Sequence, residues 1–204
     1  MIAAVMCGGA ATRMKKARTE KPLLSVGGTP IITRVIQSLH EAQSFERVVA
    51  VVSPNAPITR QFLESRGVET FETPGSGYSL DLSLVLKAMK PAKVFVISAD
   101  MPLVGARVIG EILAAPQSRP LLSVVLTKAF VESLGIAPSV AFSRGGVDYC
   151  YAGISIFDTS HLSEEGGVKV VDEEYLVRDD IELAVNVNTK EEMELAEKLL
   201  VQRA

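Results

Sequence analysis

Met1-Ile-Ala-Ala-Val-Met-Cys-Gly-Gly-Ala-Ala-Thr-Arg-Met14, with Glu20-Lys21-Pro22-Leu23-Leu24 close behind it, is the stretch that decides the fold. Ile2 to Met6 is almost wholly apolar and short, the pattern of a strand buried on both faces of a sheet. Gly8 and Gly9 end it, and without Cβ atoms they let the backbone turn sharply and bring its N–H groups close to a ligand. Arg13, Lys15, Lys16, Arg18 and Lys21 then supply fixed positive charge. A strand that feeds a glycine turn among cations suits a triphosphate. The glycine pair alone leaves an ordinary tight turn open. The loop lacks the Gly-Lys-Ser/Thr of a Walker A motif, and the dinucleotide fingerprint Gly-x-Gly-x-x-Gly is absent.

Outward from that stretch, strands and helices alternate. Gly27-Gly28 makes a turn, and Thr29-Pro30 predicts a helix start, with threonine as N-cap and proline at the first helical position. Ile31, Ile32, Val35, Ile36 and Leu39 follow at helical spacing, with His40 on the surface or at its boundary. Arg47–Val52 reads as the second strand and Val68–Glu72 as the third, separated by a short helix that Gly67 stops. A helix over about 79–89 leads to a fourth strand, Lys93–Ile97. This alternation predicts an α/β chain with a parallel, doubly wound sheet. Ligands of such sheets collect beyond the carboxyl ends of the strands. Gly8–Lys21, Ser53–Pro57, Thr73–Tyr78 and Ser98–Pro102 therefore share one rim.

The second half is less regular. A helix is predicted over 103–115 and a strand over 121–126. Shorter strands over 140–142, 147–149 and 153–157 flank a turn at Arg144-Gly145-Gly146. Ser163–Asp180 is acidic and reads as a loop or lid, Leu183–Val187 as a strand, and Asn188-Thr189 as the cap of a last helix. Neither repeat nor linker interrupts the 204 residues, so one domain, 1–204, is expected.

Bulk properties exclude several classes. A net charge of −3 argues against a nucleic-acid partner, which would require a basic face. No run approaches the roughly 18 apolar residues of a membrane helix, so a transmembrane segment is not expected. Met1 opens directly on a strand rather than a leader peptide. Two cysteines imply no disulfide framework and fit a reducing, cytoplasmic setting. With two histidines, they also make a poor zinc inventory.

Asp100 ends a strand predicted to be buried, where a carboxylate is unfavourable unless a cation neutralises it. A magnesium ion on triphosphate oxygens is such a partner and takes few protein carboxylates. A helix-capping role for Asp100 stays open, as it does for Asn188.

The opening strand, Gly8-Gly9, Thr12-Arg13-Met14 and Glu20-Lys21-Pro22-Leu23 together resemble the nucleotidyltransferase signature of the family that includes molybdenum-cofactor guanylyltransferase and the sugar-phosphate nucleotidyltransferases. The resemblance implies a three-layer, Rossmann-like fold with a mostly parallel central sheet and an irregular C-terminal sheet extension. It also implies transfer of a nucleotidyl group without a covalent enzyme intermediate. Arg13, Lys21 and Asp100 are then the catalytic residues: Lys21 meets the α-phosphate, Arg13 the outer phosphates and Asp100 the metal. Asn186-Val187-Asn188-Thr189 resembles the family's late Asn-Thr motif, so Asp100 and Asn188 are the expected ligands of Mg2+, with Asn188 taken over Asn186.

Several further segments resemble the archaeal adenosylcobinamide-phosphate guanylyltransferases. They are Ser53-Pro54-Asn55-Ala56-Pro57-Ile58-Thr59, Glu72-Thr73-Pro74-Gly75-Ser76-Gly77-Tyr78 with Asp81-Leu82, Ala152-Gly153-Ile154-Ser155, and Asn186–Lys190 with Glu194–Glu197. Residues 114–145 match poorly, and Ser155 stands where asparagine is expected. This branch implies GTP as substrate and a corrinoid phosphate as acceptor. Nucleotide contacts then fall to Cys7, Gly8, Gly9, Arg13, Lys21, Ser53, Pro54, Asn55, Thr73, Gly75, Gly77, Tyr78 and Asp100, and acceptor contacts to Gly153 and Ile154. For Tyr78, a place in the rim or core is equally open. Molybdopterin or a sugar phosphate as acceptor remains the rival reading, as does a non-catalytic nucleotide-binding regulator. The oligomeric state is left open, a homodimer included.

Overall fold

The structure is a computed structural model and describes residues 1–8, 19–138, 140–161 and 172–202. In chain order, β1 (Ile2–Met6) leads to a 3-10 turn at Lys21–Leu23 and a small hairpin of β2 (Ser25–Val26) and β3 (Thr29–Pro30). Then come α1 (Ile31–Glu41), β4 (Arg47–Val52), α2 (Pro57–Glu64), β5 (Glu69–Glu72), α3 (Tyr78–Ala88) and β6 (Lys93–Ser98). The second half holds α4 (Ala106–Leu113), β7 (Leu121–Thr127), α5 (Lys128–Ser133), β8 (Ala141–Arg144) and β9 (Val147–Asp158). It ends with β10 (Glu173–Val177), α6 (Ile181–Ala184) and α7 (Lys190–Val201).

One sheet runs through the molecule in the order β10-β7-β9-β6-β1-β4-β5, with β8 paired to the start of β9, ahead of the stretch that pairs with β6. β1, β4, β5 and β6 are mutually parallel, as the alternation predicts. β9 runs against β6, β7 and β8. β1 sits between β4 and β6 and is buried along its whole length, which explains why its five residues are all apolar. One face of the sheet packs on α1, α2, α4 and the C-terminal segment through residues such as Ile32, Leu63, Ile109 and Val187. The other face is covered by α3 through Val85, Leu86 and Met89. Each such aliphatic side chain, taken fully out of water, stabilises the fold by about 1.5–3 kcal/mol.

The structure corrects four local expectations. Thr29 pairs with Val26 in the hairpin and does not cap α1; the N-cap is Pro30. Gly27 and Gly28 both have positive φ and form its two-residue loop, so the chain enters α1 from a strand. The separate strands expected over 147–149 and 153–157 are one strand, β9. Five of its residues, Tyr151 to Ser155, span the step from Val125 to Ser123 on β7. Gly153, at φ +88°, lies inside that bulge and lets the strand continue across it. Of the acidic stretch expected as loop or lid, 173–177 is an edge strand parallel to β7, while 162–171 lies outside the described residues. The strand expected over 183–187 is the end of α6 followed by an extended segment, with Val185 and Val187 fully buried. No helix among the described residues is long and apolar enough to cross a membrane.

Candidate active site

The carboxyl ends of β6, β1, β4 and β5 form one rim, and the described parts of the loops expected to share it lie there, with residues 9–18 outside the described residues. Its centre is Lys21. Lys21 opens the 3-10 turn Lys21–Leu23 with Pro22 as its second residue, so the side chain leaves a fixed backbone. The Lys21 ammonium pairs with Asp100 Oδ2 and donates to Asn188 Oδ1 at 2.6 Å. Asp100 follows β6, and its carbonyl accepts the Val187 N–H at 2.9 Å, which docks the 185–188 segment beside it. Thr189 caps α7 in a reciprocal box with Glu192, whose carboxylate also accepts the Asn188 N–H at 2.6 Å. Asn188 is therefore not the cap. It is held by the cap and aimed at Lys21.

Two oxygens beside this cluster, Asp100 Oδ1 and Asn186 Oδ1, are buried with no hydrogen-bond partner. Leaving such atoms orphaned is unfavourable by about 1–3 kcal/mol each unless a cation or donor is supplied. Asn188, expected as the second metal ligand, has its oxygen on Lys21 and its amide on the Asn186 carbonyl. The open oxygen belongs to Asn186 instead. A pocket between the ends of β1 and β6 is lined by Cys7, Lys21, Ser98 and Asp100, while Asn186 and Asn188 line a neighbouring one.

The loops on the β4–β5 side brace one another. Ser53 Oγ donates to the Gly8 carbonyl at 3.4 Å and accepts from the Asn55 N–H at 3.3 Å. Asn55 donates to the Gly75 carbonyl at 3.5 Å. Gly8 and Gly75 are glycines for a packing reason: an added Cβ would lie 3.0 Å from Ser53 Oγ in one case and 2.8 Å from Asn55 Nδ2 in the other. Asp81, 5% exposed in the first turn of α3, accepts the N–H groups of Gly75 and Ser76 and so shapes that loop. Gly77, at φ +118°, turns the chain into α3. Pro54, Asn55 and Tyr78 stand exposed on the rim, Tyr78 at 56%. Burial of the phenol and then the Asp100 charge push the Tyr78 pKa up to about 12.

Some expected contacts turn inward. Thr73 is 2% exposed and donates to the Val52 carbonyl, and Ser53 is spent on the loop contacts just described. The buried Cys7 thiol donates to the Val5 carbonyl, and burial raises its pKa well above the usual thiol range. Ile154, expected at the acceptor, is 1% exposed and belongs to the core, so its side chain lines no site. Gly153 lies against Ser98, Met101 and Asn186. Arg13 and Gly9 lie outside the described residues. Among the described residues, no cluster of three or more histidine, cysteine or acidic side chains could hold a metal.

Glu20 is a site-building residue that its motif did not single out. Its carboxylate accepts the N–H groups of Ile58 at 2.9 Å and Thr59 at 2.6 Å, capping the amino end of α2 from a distant loop. Glu20 thus anchors to the loop after β4 while its neighbour Lys21 reaches the loop after β6. A sequence signal existed: the α2 start, Ala56-Pro57, carries no capping side chain of its own.

Residues 3–144 match the family model of the MobA-like NTP transferase domain. The chain is 26% identical to the adenosylcobinamide-phosphate guanylyltransferase of Methanocaldococcus jannaschii, over 98% of this chain and 97% of that one. It is 29% identical to the bifunctional protein GlmU of Leifsonia xyli over 71% of this chain but only 30% of that protein. In fold it is similar to HddC from Yersinia pseudotuberculosis, solved with GMP-PN, with a TM-score of 0.70 at 15% identity, over 98% of this chain and 99% of that one. The chain belongs to the MobA-like NTP transferase family.

Proposed function

We propose that this protein transfers GMP from GTP to adenosylcobinamide phosphate, giving adenosylcobinamide-GDP and pyrophosphate. The observation that carries this reading is the meeting of Lys21, Asp100 and Asn188 at the middle of the rim, with the braced loops after β4 and β5 on one side of it. The full-length similarity to the Methanocaldococcus jannaschii guanylyltransferase supports the choice of nucleotide and acceptor.

In the proposed reaction, an oxygen of the acceptor phosphate attacks the α-phosphorus of GTP in line. The bond to the β-phosphate oxygen breaks, and pyrophosphate leaves with the electron pair. The acceptor is already an anion, so no general base is required, and the chain's two histidines are not needed near the site. Positioning and charge neutralisation carry the rate. Lys21 contacts the α-phosphate once nucleotide enters, turning from Asp100 toward the developing charge. Arg13, on sequence grounds alone, neutralises the leaving pyrophosphate. The braced loops carrying Asn55, Gly75 and Tyr78 hold the base and ribose.

A divalent ion fits the residues present, because Asp100 Oδ1 and Asn186 Oδ1 are buried, unpartnered oxygens beside the phosphate position. Magnesium bound there supplies neutralising charge on the phosphate oxygens.

Incubation of the protein with each nucleoside triphosphate and cobinamide phosphate, read as pyrophosphate release, tests the reading. Release with GTP and the corrinoid, absent after chelation, is expected. Turnover only with a sugar phosphate or molybdopterin would move the assignment to another acceptor.

A further inference from the structure

Among the described residues, the sheet order sets the side from which an acceptor approaches. Asp100 stands at the end of β6, the nucleotide loops follow β4 and β5, and β1 lies between them. An acceptor oxygen in line with the leaving pyrophosphate therefore comes from the opposite side, where β9, β7 and β10 continue the sheet. β9 pairs with β6 only from Ile154 onward, so Val147–Ala152 runs about 20 Å past the end of β6. Paired with β7 and β8, it stands as a wall beside the rim.

The two faces of this wall differ. Cys150 and Ala152 point into the main core. Tyr149 and Tyr151 share the parity of Phe157, which packs with α3 on the other side of the sheet. Among the described residues, α3 is the one helix whose side chains pack into that side's core, and it does so over β1, β4 and β6. No described helix covers the wall there. Phe142, Tyr149, Tyr151 and Tyr175 cluster on it, with the Phe142 ring 5.1 Å from Tyr151 and 4.8 Å from Tyr175. The hydroxyls of Tyr175 and Tyr151 donate to Glu173 at 2.8 and 3.4 Å, which fixes two of the rings. Val147 and Val177, 42% and 44% exposed, extend the same face.

We propose that this aromatic wall is the acceptor site, and that it is built for a broad, flat, largely apolar ring system whose phosphate arm reaches Lys21. Rigid aromatic rings give large contact area at little conformational cost, which suits a macrocycle. The wall is continuous with the reacting centre through Ala152 and Gly153, which touch Asn186. The inference rests on the guanylyl-transfer reading for its acceptor, a corrinoid, and adds where the corrin ring lies.

Binding of coloured cobinamide phosphate, measured by equilibrium dialysis without GTP, tests the wall independently of turnover. Tyr149→Ser and Tyr151→Ser each raise its dissociation constant about tenfold, Tyr151→Phe stays near wild type, and GTP affinity holds within about twofold. Should a serine variant fail to fold, Val147→Glu, at an exposed position, places a charge on the same face and weakens the corrinoid alone. An unchanged dissociation constant in these variants overturns the inference. So does equal weakening of aminopropanol phosphate, which has the arm without the ring. Loss of a wild-type dimer in sedimentation, with corrinoid affinity intact, assigns the face to a second copy and also overturns it. A wild type that binds cobinamide phosphate through the wall yet releases no pyrophosphate leaves the wall standing and defeats the transfer reading.

Discussion

Lys21 and Asp100 form a mostly enclosed ion pair across 79 residues of sequence, with side chains 18% and 14% exposed. The ammonium is shared with Asn188, a further 88 residues along. One cation therefore closes the loops after β1 and β6 and the segment before α7 into a single site. Removing one partner of such a pair strands the other's charge. Lys21→Ala is expected to lower turnover at least about a hundredfold while the protein remains folded. Asp100→Asn removes the stranded carboxylate, so the double variant should be less unstable than the single effects sum to. A coupling of about 1–3 kcal/mol from urea denaturation is the expected outcome, and simple additivity would contradict the pairing.

Glu20 is expected to matter through position rather than contact. Its carboxylate satisfies two N–H groups at the start of α2, the helix behind the Ser53–Pro57 loop. Loss of a comparable helix cap is unfavourable by about 1 kcal/mol. Glu20→Ala should lower the melting temperature by several degrees and raise the KM for GTP more than it lowers kcat. Glu20→Gln, which keeps an acceptor oxygen, should recover most of the loss. A kcat defect with an unchanged KM would place Glu20 in the chemistry instead.

The parallel half of the sheet was legible because β1, β4 and β6 are largely buried on both faces, and because β5, at the edge, is marked off by Gly67 before it and Pro74-Gly75 after it. The rim followed from that topology, and so did the convergence of Lys21 and Asp100. What escaped was written in long-range contacts. Gly153 marks a bulge, yet in sequence it resembles a strand break, so β9 reads as two pieces. Val185 and Val187 are buried in extended backbone without a strand partner, where their apolar alternation imitates a strand. Ser53 and Thr73 look like ligand hydroxyls, although neighbouring backbone claims both. Lys21 occupies the oxygen of Asn188 and leaves that of Asn186 without a partner, and no spacing rule contains that.

Gly75 tests how tightly the nucleotide loops are braced. Its φ of +73° is unfavourable for any residue with a Cβ, and that Cβ would meet Asn55 Nδ2 at 2.8 Å and Ser53 Cβ at 3.2 Å. Gly75→Ala therefore combines about 1 kcal/mol of backbone strain with displacement of the Asn55 amide. The expected result is a rise of about tenfold or more in the dissociation constant for GTP, measured by calorimetry, with the corrinoid affinity unaltered. Gly67→Ala shares the positive φ but meets no atom within 4 Å, so it serves as the control for strain alone.

Tyr78 carries a pH signature. Its residue is 56% exposed, yet burial of the phenol and the negative charge of Asp100 raise its pKa to about 12. The folded state therefore keeps this proton in a range where an unfolded tyrosine, at about 10, has lost it. Stability contributed by the neutral phenol is complete below about pH 10 and is lost as pH rises through the folded value near 12. Ultraviolet titration of tyrosinate should show a late-titrating component that disappears in Tyr78→Phe. In Asp100→Asn the same component should move to lower pH, because the charge that opposes ionisation is gone. If the Tyr78 component titrates at an unchanged pH in Asp100→Asn, the phenol is not coupled to the carboxylate.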